Sequence, residues 1–517
     1  MKQADLNKDV KLQPHQISGV HKALMNNGQV LLDWKVGTGK TLGSIAIYEA
    51  LKKRNKAHTA LVLVPAPLRD NYLNEGVKKF TNSSAVIVNS LGSTEREFEK
   101  PLGKVPKGRD YYIASNELFR KHPEQLMKET GADTIIMDEL HKYKTPATAN
   151  YKAMMGVRSG VKNVIGMTGT PMTNHPKEII SLLDVVTNKN HHLGTYSDFS
   201  RKFLKKTTEI QGPLSSFGIG TKVKKIKPKN VRLLTKEFDK YVHSHQNNTG
   251  KMPAKVIHEI DVPMSPEQLH IYNYVLKKNL NPVMLSKIKE DWPVDKNEAK
   301  FIFESILQAR QASNSLHFFK KGMSLEDSAK RTPKIHRVLD DVENHLKKSP
   351  KNKAIIYSNL YQGGVDIVSA GLKSRKIPHG VYVGTTNTPI PERRKAVDDY
   401  LTGKKRVIII NQAGTEGLNL PGTTGHFALD GHFNPAVIEQ SEARGIRSGS
   451  PVDHVDVYRY RSVVPASPVH SWLSSFLPKS LGREHSVDEW VYSTANRKKD
   501  LNKAVMNAIE EQKQSVY

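Results

Sequence analysis

The chain of 517 residues is too long for a single hydrophobic core, and its hydrophobic share of 37% is sufficient for two to four α/β domains. It contains no cysteine, which excludes disulfides, thiolate zinc sites and cysteine catalysis, and no apolar run approaches the roughly 20 residues of a membrane-spanning helix. Lys and Arg number 79 against 51 Asp and Glu, a net charge of +28 that predicts nucleic acid as the partner; solubility or an acidic protein partner is the alternative explanation.

Residues 1–190 are predicted to form an N-terminal α/β lobe with a parallel sheet, because short apolar runs alternate with helical stretches. The predicted strands are Val30–Leu32, Ala60–Val64, Ala85–Val88, Tyr111–Ile113, Thr134–Met137 and Asn163–Ile165. In such a sheet the carboxyl ends of the strands lie at one edge, where ligands bind. The residues that directly follow the strands are therefore the candidate site residues.

The string GTGKT follows the first predicted strand and is typical of a phosphate-binding loop. Its glycines allow a tight turn that points backbone N–H groups at phosphate oxygens, and the helix that begins here adds its positive dipole end. Lys40 is expected to meet the β- and γ-phosphates of ATP, and the Thr41 hydroxyl to ligate Mg²⁺. Trp34 stands where the generic pattern has its first glycine, so an incidental glycine-rich turn is the alternative. The candidate nucleotide contacts are Gly37, Thr38, Gly39, Lys40 and Thr41.

Asp138 and Glu139 follow the strand Thr134–Met137 and supply two adjacent carboxylates at the same edge. Asp138 is expected to hold Mg²⁺, and Glu139 to orient or deprotonate the water that attacks the γ-phosphate. Solvated loop or N-cap residues are the alternative explanation for such acids. The string GMTGTP at 166–171 follows a further apolar run, and its small residues either link the ATP site to a neighbouring surface or form an ordinary turn.

The remaining chain changes character twice, from helical periodicity with lysine-rich gaps back to α/β alternation. The predicted domains are an N-terminal ATP-binding lobe at 1–190, a helical insertion and linker at 191–330, a C-terminal lobe at 331–480 and a C-terminal helical brace at 481–517. The predicted strands of the C-terminal lobe are Lys353–Tyr357, Gly380–Val383, Val407–Ile410, His426–Ala428 and Val455–Tyr458.

Two local features of these later segments carry predictions. The string TKVKKIKPKN at 221–230 lies in the predicted insertion, and it either touches phosphates or is a solvated basic loop. Ser486 and Glu489 have the spacing of a capping box, which predicts that an amphipathic helix begins here and continues towards residue 517.

Further strings extend the pattern over roughly residues 10–460. They are LQPHQISGV at 12–20, LVLVPAPL at 61–68, KAIIYSN at 353–359, IIINQAGTEGLNLPG at 408–422 and QSEARGIRSG at 440–449. Together with GTGKT, DELH and GMTGTP, these strings resemble in content and order the motifs of superfamily two helicases and translocases, and most closely those of the Swi/Snf-type branch. The chain departs from the family pattern at Leu140, where alanine or glycine is usual, and at Asn411 and Gln412, where hydroxyl residues are common.

The resemblance implies an α/β fold with two RecA-like P-loop lobes on parallel sheets, a helical insertion between them and a C-terminal helix. It implies ATP and Mg²⁺ as cofactors, with Arg444 and Arg447 stabilising the charge of the γ-phosphate from the second lobe. It also places Gln16, Gly417 and Gln440 at the nucleotide. The residues that it assigns to nucleic-acid contact are Pro65, Ser115, Ser358, Asn359 and Asn411.

Three functions are compatible with these features. The favoured function is a DNA-stimulated ATPase that translocates on duplex DNA, and the alternatives are a strand-separating DNA or RNA helicase in viral replication or transcription and a catalytically silent nucleic-acid-binding module. No membrane partner is expected. The start of the chain shows no secretory signal, so we expect a protein that is not secreted and acts in the cytoplasm, or in the host cytoplasm or nucleus if it is viral. A phage, viral or prokaryotic source is expected because no accessory domain is evident.

Overall fold

The chain folds into two compact units, and a computed structural model describes most of each. The described residues are 6–35, 37–89, 102–172, 175–211, 221–246, 252–289, 301–302, 305–384, 388–415, 418–446, 450–465 and 484–514. The first unit comprises Met1–Thr249 together with Lys498–Tyr517, and the second unit comprises Gly250–Arg497.

The first unit is built on a large parallel sheet. Its strands are β1 (Gln29–Trp34), β2 (Ala60–Val64), β3 (Ala85–Ile87), β4 (Tyr111–Ser115), β5 (Thr134–Met137), β6 (Asn163–Thr168), β7 (Leu204–Gln211), β8 (Thr221–Pro228) and β9 (Val242–His245). Seven of them form the sheet in the order β3-β4-β2-β5-β6-β1-β9, and β7 and β8 form a separate antiparallel pair. Because the strands of the large sheet all run the same way, the segments that follow β1, β5 and β6 emerge at one edge.

Helices cover both faces of this sheet, which explains why its central strands are apolar along almost their whole length. In β1, Val30, Leu32 and Trp34 pack into one buried cluster, whereas Leu31 packs into the cluster on the opposite face. The longer α-helices of this unit are α1 (Pro14–Met25), α2 (Lys40–Lys52), α3 (Asn116–Lys121), α4 (Pro123–Thr130), α5 (Ala149–Val157), α6 (Glu178–Thr187), α7 (Tyr196–Phe203) and α8 (Val231–Tyr241). Shorter helical segments lie at Ala66–Leu68, Arg69–Asn71, Tyr72–Val77, Lys78–Phe80, Leu140–Tyr143 and Arg158–Gly160.

The second unit contains a six-stranded sheet in which every pairing is also parallel. Its strands are β10 (Ala254–Pro263), β11 (Ala354–Tyr357), β12 (His379–Tyr382), β13 (Val407–Ile410), β14 (Gly425–Ala428) and β15 (His454–Val463), in the spatial order β10-β15-β14-β11-β13-β12. Its longer α-helices are α9 (Pro266–Asn279), α10 (Pro282–Lys289), α11 (Leu307–Ala312), α12 (Leu325–Arg331), α13 (Pro333–Lys348), α14 (Asp366–Ser374), α15 (Ile390–Leu401) and α16 (Pro435–Glu442). Shorter helical segments lie at Tyr361–Val365 and Gln412–Thr415.

The predicted α/β class with two parallel sheets is confirmed. Every predicted strand is present, and the largest difference concerns Val455–Tyr458, which forms the interior of the ten-residue strand β15. The apolar runs were reliable indicators because a parallel sheet buried on both faces requires apolar side chains at almost every position.

The segment predicted to be a helical insertion contains four strands as well as helices. β7 and β8 form a hairpin, β9 joins the first sheet beside β1, and β10 is an edge strand of the second sheet. Periodicity could not reveal these strands. β10 is exposed or half-buried at each of its positions and so needs no apolar face, and β9 has four residues with three polar side chains.

The C-terminal helix α17 spans Val487–Gln514, and its start confirms the predicted capping box. The Glu489 backbone N–H donates to the Ser486 hydroxyl at 3.2 Å, and the Ser486 backbone N–H donates to the Glu489 carboxylate at 2.9 Å. The residues of α17 up to Arg497 belong to the second unit, and those from Lys498 belong to the first. The predicted domain limits themselves stay predictions. In the part of the chain that the structure describes, no helix has the length and hydropathy needed to cross a bilayer.

Candidate nucleotide site

The glycine-rich loop lies at the carboxyl end of β1 and runs directly into α2. Gly37 and Gly39 have φ angles of 87° and 79°, in the left-handed region where glycine is favoured. A Cβ atom on Gly39 would lie 2.6 Å from the Gln16 Nε2 atom, so a side chain here would displace the Gln16 amide in addition to straining the backbone. The loop therefore has the conformation and the open backbone that a phosphate group requires.

Lys40 is the first residue of α2, and the loop holds its side chain in place. The Lys40 Nζ atom donates to the carbonyl oxygen of Trp34 at 2.9 Å and to that of Lys35 at 3.4 Å. The Thr38 hydroxyl donates to the same Lys35 carbonyl at 2.7 Å. The ammonium group is thus fixed at the carboxyl edge of the sheet, as a phosphate contact requires.

Trp34 shows why the first glycine of the generic loop pattern is missing. Its side chain is fully buried, and its ring occupies the space beside two glycines of the flanking helices. A Cβ atom on Gly19 of α1 or on Gly43 of α2 would lie 2.7 or 2.4 Å from a carbon atom of this ring. The Trp34 Nε1–H donates to the His243 Nδ1 atom at 2.8 Å, so the buried donor is satisfied. The departure from the pattern is therefore a packing solution and does not close the loop.

The start of α1 braces the loop from behind. The His15 Nε2 atom lies 2.9 Å from the carbonyl oxygen of Thr38, and the Gln16 Nε2–H donates to the carbonyl oxygen of Gly39 at 3.2 Å. The His15 ring stacks on that of His245 with 3.8 Å between centroids. Gln16 is 3% exposed, so its observed role is to hold the loop, and its predicted contact with adenine stays a prediction. His15 carries no recognisable signal in the sequence, because its partner His245 lies in β9, a strand that the apolar pattern does not predict.

Asp138 and Glu139 emerge from β5, which is separated from β1 only by β6. Burial, followed by the neighbouring Glu139 carboxylate, raises the pKa of Asp138 to about 6, and the Lys40 ammonium acts in the opposite direction. Glu139 has a φ of 54°, which is uncommon for a residue with a side chain. Its strained backbone is held by the bond from its own N–H to the Asp138 carboxylate at 3.0 Å. Strain of this kind is concentrated at functional sites.

His141 lies between the Glu139 carboxylate and Thr168, the last residue of β6. Its Nδ1 atom lies 3.2 Å from the Glu139 carboxylate and 3.2 Å from the Thr168 hydroxyl. The contact with Thr168 is therefore a physical route for the predicted link between the ATP site and the GMTGTP segment. No role for His141 was predicted from the sequence. Leu140, which departs from the family pattern, is fully buried, and a Cβ atom on Gly166 would lie 2.5 Å from its side chain. The absent side chain at Gly166 thus accommodates Leu140.

The residues at this edge fit a nucleotide-bound Mg²⁺ ion. In the described ranges, no group of three or more His, Asp or Glu side chains could hold a metal by itself. Mg²⁺ keeps several waters and commonly takes one or two protein oxygens together with phosphate oxygens. The Asp138 carboxylate and the Thr41 hydroxyl could supply those protein oxygens. The raised pKa of Asp138 also agrees with a site that a dication would stabilise, since positive charge favours the ionised carboxylate.

Asp33 lies in β1 beneath the loop and carries a second buried carboxylate. It is 1% exposed, and the Ser244 hydroxyl donates to its Oδ2 atom at 3.2 Å. Among the described residues its Oδ1 atom has no hydrogen-bond donor. Burial is the main cause that raises the pKa of Asp33 to about 6. An ionised Asp33 is therefore a cost to the folded state at neutral pH.

We expect the Asp33→Asn variant to unfold less readily than the parent at pH 8. The folded-state pKa lies above that of the unfolded chain, so the contribution of Asp33 to stability is present below about pH 4 and is lost as pH rises through about 6. The gain in the free energy of unfolding should be on the order of 2–3 kcal/mol at pH 8 and should shrink towards pH 4. Urea unfolding at several pH values measures this gain, with Asp70→Asn at an exposed position as the control. A gain that does not vary with pH would contradict the assignment.

In the second unit, Arg444 follows helix α16, which ends at Glu442. Arg444 is 5% exposed, and its guanidinium group donates to the carbonyl oxygens of Gln440 and Leu418, each at 3.0 Å. Arg444 therefore ties two predicted motifs together inside its own unit, and its predicted contact with the γ-phosphate stays a prediction.

Gly417 and Arg447 lie outside the described residues, so their predicted roles stay predictions. Gln440 lies in α16 and is half-buried, and its predicted role at the nucleotide also stays a prediction.

Two of the predicted nucleic-acid contacts have hydroxyl groups that the fold itself uses. The Ser115 hydroxyl caps α3 by accepting the Leu118 N–H at 3.1 Å. The Ser358 side chain is fully buried, and its hydroxyl donates to the carboxylate of Asp430. The Ser115 hydroxyl accepts in this bond and keeps its own O–H to donate, whereas that of Ser358 is donated inside the fold. The predicted phosphate contacts of both residues stay predictions. The other three predicted contacts also stay predictions: Pro65, which is buried, and Asn359 and Asn411, which are half-buried.

The loop with Lys40, and the paired acids two strands away in the same parallel sheet, define the class of P-loop nucleotide-binding proteins. Residues 15–318 match the model of the SNF2-related domain, and residues 337–449 match that of the helicase conserved C-terminal domain. The first match alone covers more than half of the chain. The chain therefore belongs to the SNF2-related family of ATP-dependent, helicase-like proteins, which confirms the predicted Swi/Snf-type resemblance.

Several curated proteins are similar over most of the chain. A RAD54-like DNA repair and recombination protein of Drosophila mojavensis is 26% identical over 88% of this chain and 61% of its own length. The uncharacterized ATP-dependent helicase YqhH of Bacillus subtilis is 23% identical over 86% of this chain and 74% of its own length. The protein CHROMATIN REMODELING 19 of Arabidopsis thaliana is 23% identical over 96% of this chain and 69% of its own length. The chain thus spans about three fifths of the RAD54-like relative.

Among solved structures, the Sulfolobus solfataricus SWI2/SNF2 ATPase core in complex with dsDNA is 18% identical. The match covers 98% of each chain with a TM-score of 0.37. A second structure, of the Sulfolobus solfataricus SWI2/SNF2 ATPase core domain, is also 18% identical, and that match covers 97% of this chain and 96% of the other with a TM-score of 0.36.

Proposed function

We propose that this protein is an ATP-driven motor that translocates along duplex DNA without separating its strands. The observation that carries the proposal is the placement of Lys40, Asp138 and Glu139 at one edge of one parallel sheet, within a chain of the SNF2-related family. A sheet edge with a phosphate-binding lysine and two acids supplies the groups that phosphoryl transfer to water needs.

Each residue of the site has a separate task in this proposal. Lys40 and the loop N–H groups bind the phosphates, and Asp138 and Thr41 hold Mg²⁺, which when bound neutralises phosphate charge. Glu139 orients the attacking water and accepts its proton. His141 positions the Glu139 carboxylate and contacts the hydroxyl of Thr168 at the end of β6, and that hydroxyl accepts the Thr170 N–H, so the state of the site can reach the segment after β6.

Three observations support duplex DNA as the nucleic acid along which the protein translocates. The net charge of +28 is what a protein that neutralises many phosphates needs. The relative from Drosophila mojavensis is named for DNA repair and recombination, and that from Arabidopsis thaliana for chromatin remodelling. Since phosphate contacts carry no base information, we expect translocation to be independent of sequence.

A strand-separating helicase is the second candidate, favoured by the name of the Bacillus subtilis relative. A catalytically silent binding module is disfavoured, because Lys40, Asp138 and Glu139 are all present and are held in place by their neighbours.

Two assays on the purified protein distinguish these functions. One measures ATP-dependent displacement of a third strand from a triplex on duplex DNA, and the other measures separation of a forked duplex. We expect triplex displacement without strand separation, and none with the Glu139→Gln variant. Strand separation would favour the helicase, and no ATP turnover under any condition would favour the silent module.

A further inference from the structure

Strands β7 and β8 form a hairpin that belongs to neither large sheet, which we call the lysine ribbon (204–211 and 221–228). The two strands are antiparallel and paired along their full length, from Leu204 opposite Pro228 to Gln211 opposite Thr221. With eight residues in each strand, the ribbon is about 26 Å long. A two-stranded ribbon of this kind has the dimensions of an element that the major groove of DNA admits.

The base of the ribbon is fixed to the core of the first unit. Phe203, the last residue of α7, is fully buried, and Leu204 at the start of β7 is also buried. The Lys229 N–H donates to the carbonyl oxygen of Phe203 at 2.8 Å, and the Asn230 side-chain amide donates to that of Lys202 at 2.6 Å. These bonds connect both ends of the hairpin to α7, so a load on the ribbon is transmitted to the lobe that contains the nucleotide site.

The charge of the ribbon is unfavourable for folding on its own. Its strands contain one acid, Glu209, and six lysines, which are Lys205, Lys206, Lys222, Lys224, Lys225 and Lys227. Lys205 is directly opposite Lys227, and both are exposed. Six lysines against one acid give the two strands a large excess of positive charge, and an isolated hairpin is only marginally stable in water. Such a composition is explained if an anionic partner covers the ribbon.

We propose that the lysine ribbon binds the phosphate backbone of duplex nucleic acid along a groove. This inference rests on the proposed function and adds to it a contact surface outside the motifs that define the family. Residues 221–228 are a strand and not a loop, and phosphate contact is the alternative at 221–230 that this proposal adopts. Since lysines meet phosphates as point charges, the ribbon binds without reading sequence.

The test compares the salt dependence of duplex affinity in three full-length proteins. They are the parent, a ribbon variant with Lys205→Gln, Lys222→Gln, Lys224→Gln and Lys227→Gln, and a control with Lys53→Gln, Lys277→Gln, Lys278→Gln and Lys373→Gln, which are exposed lysines outside the ribbon. For every lysine that neutralises a phosphate, its replacement should make the slope of log K against log salt shallower by about 0.9. If all four ribbon lysines neutralise a phosphate, the ratio of the parent's duplex affinity to that of the ribbon variant should fall roughly 150-fold between 50 and 200 mM salt.

The outcomes distinguish the ribbon proposal from the proposed function. A ribbon variant with the parent's slope, or a control whose slope becomes as shallow as that of the ribbon variant, would overturn the inference. Replacement of the same four lysines by arginine should keep the slope, and the thermal midpoint of the glutamine variant should not fall, since like charges have been removed. If duplex DNA does not stimulate ATP turnover in the parent, the proposed function fails; if it does and only the slope is unchanged, the ribbon proposal alone fails.

Discussion

The Glu139→Gln variant is expected to bind ATP and nucleic acid as the parent does, but to hydrolyse ATP about 10²–10⁴-fold more slowly. The amide has the shape of the carboxylate and cannot accept a proton from water. The left-handed backbone at this residue and the contact with His141 hold the carboxylate in one place, so a water molecule cannot readily take over its role. Phosphate release, measured beside equilibrium ATP binding, gives both quantities.

Two further variants make this result specific. Lys40→Ala should lose hydrolysis and also weaken ATP binding, because the phosphates lose their cation. Glu75→Gln removes a carboxylate at an exposed position that pairs with Lys79, and it should retain the parent rate. Normal turnover in purified Glu139→Gln would refute the role assigned to this residue.

The Trp34→Gly variant, which restores the generic first glycine of the loop, is expected to lose about 3–5 kcal/mol in the free energy of unfolding. The ring is fully buried and lies against the places where Gly19 and Gly43 have no side chain, so its removal leaves a large cavity between α1 and α2. It also leaves the His243 Nδ1 atom without the indole donor. Urea unfolding followed by circular dichroism measures the loss.

Two controls accompany this change. Trp34→Phe retains a ring in the same space and should lose less than half as much. Met25→Ala alters a side chain that is 84% exposed and should be close to neutral. A Trp34→Gly protein with the stability of the parent would show that the ring does not support the loop.

Apolar runs predicted the strands of both sheets well, because a strand that is buried on both faces has apolar side chains at almost every position. β9, β10 and the lysine ribbon were missed for the opposite reason. Their positions follow from pairing with strands far away in sequence, and their exposed or polar residues leave no periodic signal. The four residues of β9 form a strand because they pair with the edge of β1, and not because of a pattern in their own sequence.

Motif position predicted which residues follow the strands at the carboxyl edge of the first sheet, but it could not predict what each side chain touches. Ser358 follows a strand as a contact residue should, yet its hydroxyl is bonded to Asp430, a residue 72 positions away. Arg444 is likewise turned inward to carbonyl groups of its own unit. Whether a side chain is buried depends on residues that are distant in sequence, so the spacing of a motif along the chain does not predict it. Trp34 is the opposite case, because it departs from the motif pattern and yet Gly37 and Gly39 keep the backbone conformation of a phosphate-binding loop.

If this protein couples ATP hydrolysis to duplex DNA, as we propose, its steady-state ATPase rate should depend on the nucleic acid that is present. The rate should be measured with duplex DNA, single-stranded DNA and RNA of equal length, at low and at moderate salt. We expect duplex DNA to give the largest stimulation, and we expect that stimulation to decline as salt rises. A rate that duplex DNA leaves unchanged, or that only RNA or single-stranded DNA increases, would contradict the claim.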